Sequence, residues 1–205
     1  MFHVEQQTGT LAAVLRHLGL PDALLSPLVA YADAVERDAD RLGLVSEGGL
    51  EDFLTRHVAE SLLFAAIRPP VAGERWADIG SGAGLPGIPL AIAYPEIHVT
   101  LVEPQQRRAG FLELTVEDLG LANADVVPQR AQQLKDAFNV TATRAFSSSE
   151  GSGADDKVLE LMRTVTVPGG HVLVQVGQNP PNGEVSSIRV DSVDLEVRFL
   201  RMTAE

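Results

Sequence analysis

The stretch WADIGSGAGLPGIPLAIAYPEIHVTLVEP, residues 76–104, contains the clearest structural pattern in the chain. It begins with a short apolar run, passes through a glycine-rich turn into a helical segment and ends in a run of β-branched residues. Pro86 and Pro89 suit the first turn of that helix better than its middle. This order predicts a strand, a crossover helix and a second strand that is parallel to the first.

The pattern differs on the two sides of this stretch. Before it, apolar residues recur at helical spacing in 10–20, 24–44 and 49–67. After it, strands and helices alternate, and two alternating segments near the C-terminus predict a final antiparallel pair. We therefore predict an α/β protein with a mostly parallel sheet, made of a helical extension, 1–70, and a sheet domain, 71–205.

The composition argues against several classes of protein. The chain has 205 residues, a net charge of −12 and no cysteine, which argues against bulk attraction to nucleic acid and excludes disulfides and thiolate chemistry. Its cations are almost all arginine, which suits bidentate contacts with phosphate but is also common in high-GC genomes. No apolar run is long enough to span a membrane and no signal peptide is recognisable, so we expect a cytoplasmic protein without membrane contact.

The glycine-rich turn has the features of a ligand-binding loop. Gly80, Gly82 and Gly84 let backbone N–H groups approach a ligand closely. Asp78 precedes these glycines and Glu103 closes the next strand, where a carboxylate accepts from ribose hydroxyls. The arrangement admits either a dinucleotide or S-adenosylmethionine. The acid inside the motif favours S-adenosylmethionine, which carries an ammonium and a sulfonium, because a pyrophosphate prefers a bare helix N-terminus.

Several segments resemble the small-subunit rRNA methyltransferase G family, also called glucose-inhibited division protein B. The resemblance rests on DIGSGAGLPGIPLAI with VTLVEP, on RR at 107–108 with FLE, on RHVAESL at 56–62, on RAQQL at 130–134 and on TRAF at 143–146. It covers most of residues 40–150, and LPGIP is its most specific element. It implies a Rossmann-like class I methyltransferase fold, in which a mostly parallel seven-stranded sheet with an antiparallel last strand follows an N-terminal helical extension.

The same resemblance implies an activity. A methyl group would pass from S-adenosylmethionine, leaving S-adenosylhomocysteine, to N7 of one guanosine in 16S rRNA, with 16S rRNA or the 30S subunit as partner and no metal; we also expect a monomer. The predicted donor-binding residues are Asp78, Gly80, Ser81, Gly82, Gly84, Leu85, Glu103, Ala131, Gln132 and Arg144. The predicted RNA-binding residues are Arg107, Arg108 and Arg130, as contacts with phosphates, and a plain solvated position is the alternative for at least one of them.

The chemistry asks little of the protein beyond alignment. Guanine N7 carries a lone pair at neutral pH, so its methylation needs positioning and exclusion of water rather than a general base. Arg144, at the carboxyl end of the fourth predicted strand, is the candidate that positions the base at the donor. A salt bridge from Arg144 to Asp78 or Glu103 is an equally weighted structural alternative. His57 is expected to tie the extension to the core rather than to act in catalysis.

Some positions depart from the family pattern. Val176 stands where the family usually has lysine, Gln132 replaces an acid, Asn139 replaces an aspartate, and the segment after Gly177 is short and rich in proline. The polar segment 147–156 is predicted to be a loop. Three hypotheses follow: the rRNA methyltransferase, a related methyltransferase that acts on another RNA or a small molecule, and a donor-binding domain without activity.

Overall fold

The structure of the protein is a computed structural model. It describes residues 2–45, 50, 52–135, 137–144, 156–177 and 184–204, without the side chains of 2–7 and 156. The predicted loop 147–156, apart from the backbone of Asp156, and the proline-rich segment 178–183 lie outside the described residues. Within the described part of the chain, no helix has both the length and the apolar character needed to cross a membrane.

A seven-stranded sheet, in the order β3-β2-β1-β4-β5-β7-β6, forms the centre of the described structure. Its strands are β1 (Arg75–Ile79), β2 (His98–Val102), β3 (Ala124–Val127), β4 (Phe138–Thr143), β5 (Thr166–Val176), β6 (Glu184–Val190) and β7 (Leu195–Thr203). The strands β1 to β5 are parallel, and β7 is antiparallel to both of its neighbours. The predicted mostly parallel sheet with an antiparallel last strand is therefore confirmed.

Helices precede the sheet and connect its strands. They are α1 (Phe2–His17), α2 (Leu25–Leu42), α3 (Ala59–Leu62), α4 (Phe64–Ile67), α5 (Gly87–Ala93), α6 (Gln106–Asp118) and α7 (Asp156–Thr164). A π-helical turn, Phe53–Val58, leads into α3, and short 3-10 turns occupy Asp22–Leu24, Ala131–Gln133 and Asp191–Val193. The helices predicted over 24–44 and around the prolines of α5 are confirmed.

The segment 49–67, predicted as one helix, is interrupted in the structure. The apolar spacing of 49–67 predicts a single amphipathic helix, but a wide π turn and two short α-helices replace it. Leu62, Leu63 and Phe64 are consecutive and all completely buried. Because this segment packs on more than one side, tertiary contacts override the single apolar stripe that the sequence pattern assumes.

The two faces of the sheet carry separate hydrophobic clusters. Trp76 on β1 and Leu101 on β2 face a cluster that includes α1, α2 and α6, whereas Ala77 and Ile79 face the cluster under α7. This alternation follows the two-residue period of a strand and places the Asp78 side chain on the same face as Trp76. The N-terminal helices thus share one core with the sheet, and the division into domains 1–70 and 71–205 stays a prediction.

The strand order reverses next to the glycine loop. The strand β1 pairs with β2 on one side and with β4 on the other, so the connections after β1 and β4 leave the sheet in opposite directions. In open α/β sheets a crevice forms at this switch point, at the carboxyl ends of the strands. The glycine loop, Glu103 and Arg144 all follow carboxyl ends of these strands.

Candidate functional site

The glycine loop joins the end of β1 to the start of α5. Gly82 and Gly84 both have positive φ, 58° and 103°. A Cβ at Gly84 would lie 2.5 Å from Ile88 Cδ1, whereas a Cβ at Gly82 would meet nothing nearer than the Gly80 carbonyl oxygen at 3.9 Å. The two glycines therefore serve different purposes: Gly84 allows the helix to pack closely, and Gly82 leaves room for a ligand to approach the backbone.

Asp78 lies beneath this loop and is 1% exposed. Its Oδ2 accepts from the Gly87 N–H at 2.9 Å, while its Oδ1 has no hydrogen-bond partner among the described residues. Burial raises the pKa of the Asp78 carboxyl to about 7, against the opposing effects of the Gly87 and Ser81 hydrogen bonds. A buried acceptor without a partner is costly, so this oxygen is the kind of group that a bound cation or N–H donor would satisfy.

Glu103 connects the end of β2 to the glycine loop. Its carboxylate accepts from the Gly82 N–H at 3.0 Å and from the Gln105 N–H at 2.8 Å. The side chain is buried, and these bonds fix its orientation at the crevice. Each carboxylate oxygen retains a further lone-pair direction, which a hydroxyl could use.

Tyr31 brings helix α2 into contact with the same loop. Its hydroxyl donates to the Ala83 carbonyl oxygen at 2.9 Å, and its ring is completely buried. Burial, with a smaller effect of Asp78, raises the pKa of the Tyr31 hydroxyl well above its usual value, so the hydroxyl stays a donor. The helical periodicity of α2 places Tyr31 on the buried face, but no sequence pattern connects it to the site.

Arg144 is engaged in a buried polar junction, and neither predicted salt bridge forms. It pairs with Glu60 rather than with Asp78 or Glu103. The guanidinium also donates to the His57 carbonyl oxygen at 2.7 Å, to His57 Nδ1 at 2.6 Å and to Gln175 Oε1 at 2.8 Å. Because Glu60 and His57 come from the helical segment before the sheet, the salt bridge fastens that segment to the carboxyl end of β4.

His57 is the second key member of this junction. Burial, followed by the nearby charges of Arg144 and Arg56, lowers the pKa of the imidazole to about 4. The ring is therefore neutral at pH 7. Its edge packs against Phe53, with ring centroids 5.8 Å apart. The expectation that His57 ties the extension to the core is confirmed by its bonds to Arg144.

A cleft of about 590 Å³ lies between α2 and α6. Its lining includes Arg37 and Arg41 from α2 and Arg107 from α6. Arg37 and Arg41 both pair with Asp38, whereas Arg107 has no ion pair among the described residues. Three arginines and two aspartates, Asp38 and Asp118, thus line one cleft of a chain whose net charge is −12.

Arg108 occupies the neighbouring position and makes different contacts. It donates to the Gly43 carbonyl oxygen at 2.6 Å and to the Leu42 carbonyl oxygen at 3.5 Å. These bonds satisfy carbonyl groups at the end of α2, which ends in a left-handed glycine. Arg108 therefore anchors α2 to α6, and its predicted contact with RNA stays a prediction.

Comparison with known proteins identifies the family. A family model described as GidB, rRNA small subunit methyltransferase G, matches residues 24–187. The chain belongs to this rRNA small subunit methyltransferase G family. A curated relative named Ribosomal RNA small subunit methyltransferase G, from Stenotrophomonas maltophilia (strain K279a), is 36% identical over 174 residues, which cover 84% of this chain and 78% of that protein.

Two further comparisons concern the family and the fold. A relative with the same name from Nitrosomonas europaea is 41% identical over 129 residues, or 62% of this chain and 59% of that protein. Among solved structures, that of MtNAS in complex with MTA and tNA superimposes with a TM-score of 0.59 at 16% identity, covering 95% of this chain and 76% of that one. At this identity the structural likeness supports the fold alone.

The structure shows what surrounds the positions that depart from the rRNA small subunit methyltransferase G pattern. Val176 is buried in the cluster under α7 and Gln132 is exposed. Asn139 Oδ1 accepts from the Arg75 N–H at 2.8 Å, and this bond joins the amino ends of β1 and β4.

Two other predicted site residues follow β3. Ala131 is buried against the cluster under α7, beside the ends of β1 and β2. Arg130 lies in the turn after β3, which ends at Val127.

The structure brings together residues that no sequence pattern associates. Tyr31, Glu60 and Gln175 join the site through hydrogen bonds that span long sequence separations, and Arg37 and Arg41 join the cleft of Arg107. The only sequence signal for Glu60 is its place within RHVAESL. No local pattern marks Gln175, which follows the alternation of an ordinary strand.

Proposed function

We propose that this chain transfers a methyl group from S-adenosylmethionine to N7 of a guanosine in the 16S rRNA of the small ribosomal subunit. The observation that carries the proposal is the buried Oδ1 of Asp78, an acceptor without a partner among the described residues, directly beneath a glycine loop at the switch point of the sheet. Family membership supplies the class of reaction and of substrate.

The residues around the loop suit this donor. S-adenosylmethionine carries an ammonium group, whose N–H donors match the Asp78 oxygen, and its positive charge favours an ionised carboxylate there. Glu103 is placed to accept from the ribose hydroxyls, and Gly82 offers unobstructed backbone. We assign the adenine to the segment at Ala131 and Gln132, where the 3-10 turn begins. The donor supplies an electrophilic methyl group when it is bound.

The protein's own contribution is orientation. Guanine N7 is nucleophilic without deprotonation, so the rate depends on holding N7 in line with the methyl group and on keeping water out. The glycine loop, which is hydrogen-bonded to Tyr31 and Glu103, positions the methyl donor. The junction of Arg144, Glu60 and His57 follows the end of β4 and provides a rigid surface for the target base.

We assign the contacts with RNA to the arginines of the cleft between α2 and α6 and to its surroundings. Arg107 and Arg130 are exposed, and Arg37 and Arg41 line the cleft with Arg107. Guanidinium groups pair with phosphate oxygens and so set the register of a bound strand without reading its sequence. We assign 16S rRNA or the 30S subunit as the partner, and cytoplasmic location, a monomeric state and metal-free catalysis belong to the same proposal.

Two measurements test the proposal. Calorimetry should detect binding of S-adenosylmethionine to the wild type and none to Gly82→Asp, because the new carboxylate occupies the open space at the loop and repels Glu103. Gly120→Asp is the matched control, since Gly120 also has positive φ, 64°, and open space around it but lies at the far end of α6. Equal affinity in the wild type and Gly82→Asp would remove this loop from the donor site.

The second measurement addresses the acceptor. Tritium from the donor methyl group should enter 16S rRNA when unmodified 30S subunits are supplied, and not tRNA or 23S rRNA supplied at the same concentration. Labelling of another RNA would favour a related methyltransferase with a different substrate. If the donor binds but no RNA is labelled, the substrate is a small molecule or the chain is a donor-binding domain without activity.

A further inference from the structure

Every nitrogen of the Arg144 guanidinium donates a hydrogen bond within the protein. Nε donates to Gln175, Nη1 donates to the His57 carbonyl oxygen, and Nη2 donates to both His57 Nδ1 and Glu60. The Arg144 side chain is only 7% exposed. A group held in this way is poorly suited to bind a base edge, because binding would break bonds inside a buried ion pair.

These bonds determine the tautomer of His57. Arginine is a donor only, so the Nδ1 atom that it contacts must present its lone pair. A neutral imidazole carries one proton, which is therefore on Nε2. The lowered pKa of His57, caused by burial and by Arg144 and Arg56, agrees with a neutral ring. Gln175 Nε2 donates to Glu60 at 2.8 Å, so the acid that neutralises Arg144 is itself held in place.

The Nε2–H group of His57 has no hydrogen-bond partner among the described residues, and the ring is partly exposed. A row of ring contacts connects His57 to the glycine loop. His57 packs against Phe53, Phe53 lies 5.8 Å from Tyr31, and the Tyr31 hydroxyl contacts Ala83 in the glycine loop. Because its Nδ1 contacts Arg144, which follows the carboxyl end of β4, the imidazole lies at the edge of the sheet where the crevice forms, with one donor available.

We propose that His57 donates from Nε2 to the exocyclic oxygen O6 of the target guanine and so selects and orients that base, with Arg144, Glu60 and Gln175 as positioning residues that fix the imidazole. This inference rests on the proposed function, since it names the residue that reads the acceptor. A bond to O6 from the side away from N7 leaves N7 free to receive the methyl group.

Charge explains why a neutral donor suits this role better than Arg144. Methylation at N7 turns a neutral base into a cation. A guanidinium in contact with the base edge would repel the positive charge as it develops, whereas a neutral N–H group would not. The pairing of Arg144 with Glu60 further reduces the positive potential at the base.

Two substitutions of His57 separate base recognition from a purely structural role. In His57→Asn the side-chain amide oxygen can take the place of Nδ1 and accept from Arg144, but no donor reaches the Nε2 position. In His57→Gln the amide N–H reaches the Nε2 position, while the acceptor for Arg144 is displaced. We predict that His57→Asn keeps donor affinity and melting temperature but loses about three- to tenfold in kcat/KM for 30S subunits, and that His57→Gln retains more activity than His57→Asn.

A purely structural role makes the opposite prediction, with His57→Asn active and His57→Gln impaired, and that order would overturn the inference. A second readout uses 30S subunits whose target guanosine is replaced by 2-aminopurine riboside, which lacks O6 but retains N7. The wild type should prefer guanosine, and His57→Asn should lose that preference; an unchanged preference also overturns the inference. If the wild type itself fails to methylate 16S rRNA, the proposed function fails instead, so the two failures are distinguishable.

Discussion

The Tyr31 hydroxyl on α2 donates to the Ala83 carbonyl oxygen in the glycine loop at 2.9 Å. This bond joins the N-terminal helices to the segment that we assign to the donor, and both groups are buried. A loop with several glycines has many conformations in isolation, and fixing them costs entropy. A contact from outside the loop therefore reduces the number of conformations that the donor would otherwise have to select.

Tyr31→Phe should weaken the binding of S-adenosylmethionine by up to about fivefold, the equivalent of about 1 kcal/mol for one buried hydrogen bond. The melting temperature should fall by about 2–4 °C, as expected for a chain of this length. Calorimetry and thermal melting check the two effects. Tyr94→Phe is the control, because the Tyr94 hydroxyl has no hydrogen-bond partner within the described structure. Equal losses in both variants would show that the bond to Ala83 has no special role.

Asp78→Asn should change how stability depends on pH. Burial raises the pKa of Asp78 to about 7, whereas the pKa of the same carboxyl in the unfolded chain is near 3.8. Between these two values the folded protein binds a proton that the unfolded chain has released. Wild-type stability should therefore fall as pH rises from about 4 to about 7, by up to roughly 4 kcal/mol from this group, and the fall should be absent in Asp78→Asn. Urea unfolding at several pH values, without donor, measures the difference. A constant difference between the two proteins from pH 4.5 to 8 would contradict the burial of the Asp78 carboxyl as the cause of its raised pKa.

Gly87→Ala should destabilise the fold through a direct clash. A Cβ at Gly87 would lie 2.2 Å from Leu101 Cδ2 and 2.9 Å from Asp78 Oδ2. Overpacking of this kind typically costs about 1–3 kcal/mol, and it would also displace the Asp78 carboxyl. Gly110→Ala is the matched control, since a Cβ there meets nothing within 4 Å, and in helix α6 it should stabilise by about 0.5–1 kcal/mol. Denaturant unfolding tests both, and a neutral Gly87→Ala would refute the packing beneath the loop.

Arg107→Ala should weaken binding to the RNA substrate and reduce its dependence on salt. Loss of one phosphate contact lowers the slope of log affinity against log salt by about one, or slightly less on single strands. Arg163→Ala is the control, because Arg163 is also an exposed cation but belongs to α7, on the opposite face of the sheet. Filter binding between 50 and 200 mM salt measures the slopes. Identical slopes for the two variants would exclude the cleft as an RNA contact.

Local patterns in the sequence predict part of the site. Strand β1, the glycine loop, α5 and β2 are contiguous, and their signals are glycines, prolines and β-branched runs, so the sequence alone is enough to place Asp78 and Glu103. The contacts of Arg144 could not be predicted, because they join residues that are far apart in sequence and lie on separate elements. Opposite charges identify possible pairs, but only the packing of the N-terminal helices on the sheet decides that Glu60, and not Asp78 or Glu103, is the partner.

A similar physical reason explains the error in 49–67. Helical periodicity assumes one buried face, and this segment is buried on several sides between α1, α2 and the sheet. Its π turn carries His57 into contact with Arg144. The residue to which we give a role in base recognition therefore lies in a segment where the sequence pattern alone predicts an ordinary helix. Departures from sequence patterns are expected at functional sites.

Methylation at N7 of a guanosine in 16S rRNA is the activity that we propose for this chain. The most direct measurement incubates the protein and S-adenosylmethionine with 30S subunits from a strain that lacks the modification. The extracted 16S rRNA is then treated with borohydride and aniline, which cleave the strand at 7-methylguanosine, and the breaks are mapped by primer extension. We predict one new break, at a single guanosine, that depends on the donor. A protein that binds the donor but produces no new break in 16S rRNA would contradict the claim.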